Sequence, residues 1–579
     1  MQDTVLLDNS VFDAMDFDVP EDTCEEKKPQ SLKPIYTADL ETDPFVYGRI
    51  PKAFCTGVYD GVSFHSTWGA NCIDEMLEYF FHLPPGIIYF HNGGKFDFFF
   101  FLSKLVGNPL MIINGRIIKA KLKCATGHHE LRDSLAILPF ALKTYKKDEI
   151  DYNKFEAEVR EQHKAEILEY LKDDCVYLHE LCFSFCEMFG PKLTIGGTAM
   201  KELKKIHTFE CMGPITDNDL RSLYYYGGRV ECFKTGVIPG DWKVYDVNSM
   251  YPFVMRDFLH PIGMPEADSK KIRSTTCFIS AEGKNYGAFP QRTKEGLRFD
   301  IEDGTFHVSI HEWITAINNN LFIPKRILRC VNFRDRSTFE TFVTKFYNLR
   351  KQAKDIGDDI HSLFYKYVLN SAYGKFAQNP EGYFDYEITS GKGSKPDPWT
   401  PHLIFDAMGE SDSGYIIWKK PSAIYTRYNV ATAASITGAA RSVLMEAIAK
   451  SINPIYCDTD SIVCESLDVP SDSKTLGAWK MEANAHTACI AGKKLYALFS
   501  NTCPDCKKSV ECRGNCKHPF HNDGCVKQAN KGVRISANEV QEICNGMAVE
   551  WFNPAPSFKL DGEHRFIHRN IEMKTTQSI

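Results

Sequence analysis

No apolar run in this sequence approaches the roughly 18 residues that a membrane-spanning helix needs, so no transmembrane segment is expected. The first 26 residues contain no Lys or Arg, which argues against a secretory signal or a transit peptide at this start. No internal repeat is found. What remains is a globular chain of 579 residues, long enough for several domains. With 43% hydrophobic and 25% charged residues it can bury substantial cores. Without a secretory start, most of its 20 cysteines are expected to be reduced thiols.

The formal net charge of −7 argues at first against a nucleic-acid partner, but its distribution matters more. Nine acids crowd the start: Asp3, Asp8, Asp13, Asp16, Asp18, Glu21, Asp22, Glu25 and Glu26. Removing these nine from the 75 acids leaves 66 against 68 bases. The body is therefore mildly basic, and the acidity belongs to a flexible tail over residues 1–30.

Ordered structure is expected from "KPIYTADLETDPF", with a strand near Ile35–Leu40. Ile112–Leu122 reads as strands, with Lys119, Lys121 and Lys123 alternating along a solvated face. Helical spacing runs from about Asn153 to Phe189, and Pro191 with the Gly196–Gly197 pair marks a boundary. "WKVYDVNSMYPFVM" reads as a buried strand and a turn. Helices are expected near Ser337–Lys354 and His361–Ala377. Residues 379–421 are rich in Gly, Pro, Ser and aromatics and read as an inserted hairpin or loop. "INPIYCDTDSIVCES" reads as two short strands joined by an acidic turn.

Two acidic constellations carry chemistry. In the first, Asp39 and Glu41 alternate on a strand and so share a face. Asp97 follows the Gly-rich turn of "HNGGKF", and Tyr170 and Asp174 are neighbours at i,i+4 on a helix. Three acids from strands and one from a helix can converge on two hard divalent cations, Mg²⁺ or Mn²⁺. Such a pair serves phosphodiester hydrolysis, with Tyr170 orienting the water. In the second, Asp246 ends an apolar strand, while Asp458 and Asp460 share a tight turn where their repulsion favours a cation. Between them, Lys366, Asn370 and Tyr373 share a helical face, and Gly374 removes bulk where a flat partner approaches. Arg350 and Lys354 share another helical face. Together with Lys366 they offer a clamp for a triphosphate. The set describes phosphoryl transfer from a nucleotide.

In order and spacing these motifs resemble those of family-B DNA polymerases, and most closely the protein-primed branch of bacteriophages and linear plasmids. The resemblance covers roughly residues 31–535. It implies an α/β fold: a ribonuclease-H-like 3′–5′ exonuclease domain followed by a right-hand polymerase with palm, fingers, thumb and two insertions. "ADLE", "NGGKFD" and "YLKDD" match the exonuclease motifs, which makes Asp39, Glu41, Asp97 and Asp174 metal ligands and Tyr170 their helper. "DSLAILPF" resembles a single-stranded-DNA motif, so Ser134 and Leu135, with Asn92 and Phe96, are implied to contact the primer end. "YYGG" resembles the link between the two activities, with Tyr225, Gly227 and Gly228 near the template. "DVNSMYP", "KYVLNSAYG" and "YCDTDS" match the three polymerase motifs. By carry-over Asp246 and Asp460 hold metal with the Val247 carbonyl, and Asp458 is their neighbour. Tyr251 lies under the sugar and excludes a 2′-hydroxyl, and Tyr373 lines the nascent base pair. Lys494 and Tyr496 of "KKLYAL" hold the primer end.

The implied boundaries are 31–190 exonuclease, 191–262 palm, 263–340 insertion or palm extension, 341–378 fingers, 379–420 second insertion, 421–500 palm and 501–579 thumb. The implied cofactors are two Mg²⁺ or Mn²⁺ per active site. The implied partners are primer-template DNA, dNTPs, a terminal-protein primer and a single-stranded-DNA-binding protein. A monomer in the cytoplasm of a host cell, without membrane contact, completes the expectation. A nucleic-acid-primed family-B polymerase and a catalytically idle DNA-binding factor are the alternatives. One segment departs from the family pattern. "NTCPDCKKSVECRGNCKHPFHNDGC" spaces Cys503, Cys506, Cys512 and Cys516 as Zn²⁺ ligands, with His518, His521 and Cys525 as substitutes; the alternative is a loop with free thiols.

Overall fold

The computed structural model describes residues 33–142, 150–294, 296–391, 393–405, 415–422, 427–470, 472, 475–503, 505–508, 518, 523–558 and 564–573. The acidic tail and, within the Cys/His loop, Cys512, Cys516 and His521 lie outside them. The N-terminal part runs β1 (Ile35–Thr42), β2 (Ala53–Tyr59), β3 (Phe64–Trp68), α1 (Cys72–His82), β4 (Ile87–Phe90), β5 (Pro109–Ile113), β6 (Arg116–Cys124) and β7 (Gly127–Asp133). β1 lies inside the sheet, antiparallel to β2 and parallel to β4. Both of its faces are covered, so its residues are buried almost without a break, with Asp39 and Glu41 the partly open ones. On β6, Lys121 and Lys123 are exposed and Lys119 pairs with Glu130 at 3.1 Å.

Helix α2 (Lys164–Phe189) packs on β1, where the Thr37 hydroxyl donates to the Cys175 carbonyl at 2.7 Å. This helix is shorter than its spacing suggests. Tyr152–Phe155 and Arg160–His163 are separate 3₁₀ turns. The fold-back brings Phe155 onto Phe54 and Tyr170, at ring separations of 5.7 and 6.4 Å. A continuous helix would hold Phe155 and Tyr170 roughly 22 Å apart. The break after α2 falls at Gly190, with φ +80°, and Pro191. Gly196 and Gly197 mark no break. They lie in the first turn of α3 (Ile195–Lys204), whose Thr194 cap accepts from the Gly197 N–H at 3.0 Å.

α4 (Pro214–Tyr224), β8 (Val230–Cys232), β9 (Gly236–Val247) and α5 (Met250–Asp257) follow. An elaboration then adds β10 (Cys277–Asn285), β11 (Asp303–Ser309), α6 (Ile310–Asn318) and β12 (Phe322–Asn332), its strands ordered β11-β10-β12. Helices α7 (Glu340–Asp355) and α8 (Asp359–Lys375) come next, then β13 (Phe384–Ser390), β14 (Thr400–Phe405) and β15 (Tyr415–Pro421). The long α9 (Val430–Lys450) leads into β16 (Tyr456–Asp458), β17 (Ser461–Cys464), β18 (Trp479–Gly492) and β19 (Leu495–Phe499). The chain closes with β20 (Cys525–Asn530), α10 (Ala537–Cys544), β21 (Val549–Phe558) and β22 (His564–Ile571).

The central sheet has the order β20-β19-β18-β9-β17-β16-β8. Of the two forms expected for residues 379–421, the structure has the hairpin: β14 and β15 pair antiparallel, and with β13 they extend the first sheet, because β13 pairs with β5 through Tyr386↔Leu110. One apolar cluster runs from Leu178 and Phe185 on α2 through Phe342 and Phe364 to Ile436 on α9, so the two sheets' domains share a core. Among the described residues no helix is long and apolar enough to cross a membrane.

Candidate active sites

The first acidic set converges. Ligand atoms of Asp39, Glu41 and Asp174 lie within 4.8 Å of one another, two from β1 and one from α2. Asp97 is not one of those three, and it is not on a strand as its sequence context suggested. It opens a 3₁₀ segment after the Gly-rich turn. It is 2% exposed, its Oδ1 has no hydrogen-bond partner, and burial and then Asp39 push its carboxyl well above the usual range. Four hard oxygen donors with one orphaned carboxylate oxygen fit a divalent cation. Tyr170 faces the set. Its hydroxyl is 3.1 Å from that of Tyr152, and burial and then Asp174 push it up.

Asp133 is a hub that sequence reasoning passed over. Its carboxylate accepts from the N–H groups of Asn92 at 3.0 Å, Gly94 at 3.1 Å and Leu135 at 3.0 Å, and pairs with Arg116. Asn92, Phe96, Ser134 and Leu135 are thereby gathered at one edge of the site. Ser134 is fully buried and donates to the Phe90 carbonyl at 3.1 Å. Gly94 is required there, since a Cβ would sit 2.0 Å from the Ile117 carbonyl oxygen.

The second set lies at the ends of β9 and the β16–β17 turn. Ser461 is in register with Asp246, and the Val247 N–H donates to the Asp460 carbonyl at 2.9 Å. Burial and then Glu482 raise the Asp246 carboxyl to about 6. Burial, Asp246 and Asp458 raise Asp460 to about 7. Two carboxyls that oppose each other's ionisation suit a shared cation. Asp458 is engaged by its neighbours, accepting from Tyr456 at 3.3 Å and Thr459 at 3.0 Å.

The other predicted residues lie on α5, α7 and α8. Tyr251 and Tyr373 stack, with centroids 3.9 Å apart and an 11° interplanar angle. Burial, Arg350 and Lys354 all lower the Lys366 ammonium, so the three cations are close. Asn370 is on α8 and partly buried, whereas Gly374 is buried in helix packing and offers no open surface. Tyr496 packs against Tyr456 at 4.8 Å, and the Lys494 N–H donates to the Tyr456 hydroxyl at 3.0 Å.

The Tyr225–Gly228 link is pinned by residues with no motif of their own. Arg441 donates to the carbonyls of Tyr226 and Gly227 at 2.8 Å each, and Arg292 donates to that of Tyr225. A Cβ on Gly228 would meet Thr459 Oγ1 at 2.7 Å, so the link presses on the acidic turn, while Gly227 is open. Lys527 was also missed. It pairs with Glu482 at 2.7 Å; burial opposes its charge, but Tyr496 and Glu482 outweigh this and raise it. Only the β19–β20 register brings Lys527 to the carboxylates. A lone Arg in the Ala-rich α9 was the one available signal for Arg441. In the Cys/His loop, Cys503 and Cys525 are buried, and Cys506 and His518 are partly buried.

Comparison with known proteins agrees with this geometry. Residues 140–475 match the family described as DNA polymerase type B, organellar and viral. The chain is 45% identical over 554 residues to a DNA-directed DNA polymerase of Enterobacteria phage PRD1, covering 92% of this chain and 97% of that one. It is 26% identical over 535 residues to the DNA polymerase of Bacillus phage phi29, covering 80% of this chain and 86% of that one. The structure of phi29 DNA polymerase complexed with primer-template DNA superposes with a TM-score of 0.71 at 20% identity, covering 94% of this chain and 100% of that one. The ternary complex with incoming nucleotide substrates gives 0.69 at the same coverage. On the extent of the family match and the identity to the PRD1 enzyme, this chain belongs to the organellar and viral type-B DNA polymerases.

Proposed function

We propose that the second acidic set is the polymerising site and the first a proofreading 3′–5′ exonuclease, in an enzyme that starts from a terminal-protein primer and displaces the strand ahead. Three observations support this reading: the Asp246 and Asp460 carboxyls oppose each other's ionisation, Lys366 lies close to Arg350 and Lys354, and Tyr251 of α5, just past Asp246, stacks on Tyr373 of α8. Lys366, Arg350 and Lys354 receive the triphosphate and neutralise charge that develops on it. Tyr251 meets the sugar and Tyr373 the new base pair. Lys494 and Tyr496 hold the primer end. Asp246, Asp460 and the Val247 carbonyl would hold two Mg²⁺ or Mn²⁺, and Asp39, Glu41, Asp97 and Asp174 two more. Those cations supply Lewis-acid stabilisation of the attacking and leaving oxygens.

In the first site Tyr170 orients the water that attacks the last phosphodiester. Asn92, Phe96 and Leu135 contact the unpaired end, and Ser134, which is fully buried, serves behind them through its hydrogen bond to the Phe90 carbonyl rather than by contact. Tyr225, Gly227 and Gly228 stand near the template between the two activities. Cys503, Cys506, Cys512 and Cys516, the last two outside the described residues, would hold a structural Zn²⁺, which would supply a rigid cross-link to this loop. Primer-template DNA and dNTPs are the substrates, as in the phi29 complexes. A single-stranded-DNA-binding protein assists a monomeric enzyme in the host cytoplasm.

Asp460→Ala is expected to abolish primer extension and keep degradation. Asp39→Ala with Glu41→Ala is expected to do the reverse. Synthesis by the first variant, or degradation by the second, refutes the corresponding assignment. Labelled nucleotide transferred covalently to a candidate terminal protein tests the priming mode.

A further inference from the structure

The connection between β1 and β2 follows Glu41 directly, and its base is tied down. Asp43 accepts from Arg160 at 2.8 Å, and its N–H donates to the Lys52 carbonyl at 3.0 Å. Arg49 pairs with Glu156 at 3.3 Å and donates to the Pro44 carbonyl at 2.5 Å. The Arg49 N–H donates to the Val46 carbonyl at 3.0 Å, closing a turn with Gly48 at φ +81°. That dihedral at the third position is what a type II turn demands, and it places Tyr47 at the corner.

The tip of this anchored loop is apolar and open. Phe45 is 43% exposed, Val46 44%, Tyr47 58% and Ile50 43%. Contiguous exposed apolar residues on a fixed scaffold mark a contact surface. Its neighbours identify the contact. Phe45 meets Phe96 edge to face at 5.7 Å, and Phe96 immediately precedes Asp97 of the first acidic site. Tyr47 meets Phe552 of β21 at 5.5 Å, so the row of rings reaches from that site to the C-terminal hairpin. The loop's one acid is occupied by Arg160 and its Arg49 by Glu156, while Lys52 is exposed. Aromatic faces beside an open lysine, continuous with the first acidic site, fit a single nucleic-acid strand.

We propose that the β1–β2 loop extends the exonuclease site into a base-stacking platform, on which Phe45 and Tyr47 hold the unpaired nucleotides that trail the primer's 3′ end. The inference rests on the exonuclease reading of the first acidic set. The platform makes the site prefer a strand several nucleotides long over a dinucleotide, because only the longer strand reaches the loop.

The test measures kcat/KM for degradation of a single strand of about 15 nucleotides and of a dinucleotide, in the full-length chain and in Phe45→Ala and Tyr47→Ala. The ratio of long to short is expected to fall by about 5- to 150-fold in each variant, the range that one lost base–aromatic stack implies. Tyr47→Phe is expected to restore it. Extension of a matched primer reports that each variant is folded. An unchanged ratio in both alanine variants overturns the platform, and so does an equal loss on both substrates, which marks a mere brace between lobes. Absence of carboxylate-dependent degradation in the wild type overturns the exonuclease reading and the platform with it. Carboxylate-dependent degradation with an insensitive ratio overturns the platform alone.

Discussion

Arg441 is a buried cation that pins the Tyr225–Gly228 link beside the second acidic set, and Arg441→Leu isolates its contribution. The guanidinium pairs with Glu312 at 2.7 Å, with side-chain exposures of 2% and 1%. It also donates to the Tyr226 and Gly227 carbonyls at 2.8 Å each. Leucine fills much of the volume but strands a buried carboxylate. Losing one partner of such a pair costs about 3–5 kcal/mol. Two features pull the value to the lower end. Glu312 keeps the Ser309 hydroxyl at 2.8 Å and its N–H at 3.0 Å, and Arg441 Nη2 already lacks a partner. We expect about 3 kcal/mol, read as a lower urea midpoint by intrinsic fluorescence. Adding Glu312→Gln removes the stranded charge and is expected to return about 1–2 kcal/mol. Extension should suffer in both variants, because the Tyr225–Gly228 link loses its anchor. A loss below about 1 kcal/mol, or a double variant no more stable than Arg441→Leu, refutes the reasoning.

Lys527→Met is expected to slow extension by about 10²-fold, the cost of one lost charge-stabilising group, while degradation continues. Glu482 keeps Lys480 at 2.7 Å, so stability should change little, and unaltered single-turnover extension would refute the role. Gly228→Ala forces a Cβ to 2.7 Å from Thr459 and should impair extension; Gly94→Ala, at 2.0 Å from the Ile117 carbonyl oxygen, should impair degradation. Parallel assays that reverse this pattern would contradict the two placements. Burial depresses the imidazole of buried His260 to about 3 and that of half-buried His311 to about 4. Their folded values lie below the unfolded value, so their stability contribution is full above about pH 6.5 and falls on acidification by about 1.4 kcal/mol per pH unit per group. The loss runs down to those folded values. Carboxyls that burial raises, such as Asp460, act in the opposite direction over this window, so the readout is the difference: a fall in urea midpoint from pH 7 to 5 that is no larger in the unaltered chain than in His260→Asn with His311→Asn would refute it.

Which side chains face the two acidic sets was legible in the chain alone. Alternation on β1 and the i,i+4 relation on α2 already aimed Asp39, Glu41, Tyr170 and Asp174 inward, because local periodicity fixes the face of each side chain. The same logic reached Asp246, the acidic turn and the Lys366 helix. The tertiary structure decided everything that depends on register and long-range pairing. Lys527 reaches Asp246 only through the β19–β20 register, and the 379–421 segment joins the first sheet only by pairing with β5. Arg441 meets Glu312 across 129 residues. Such contacts leave no periodic trace in the chain, since what selects them is the burial of charge and the sharing of a core rather than any neighbour in sequence.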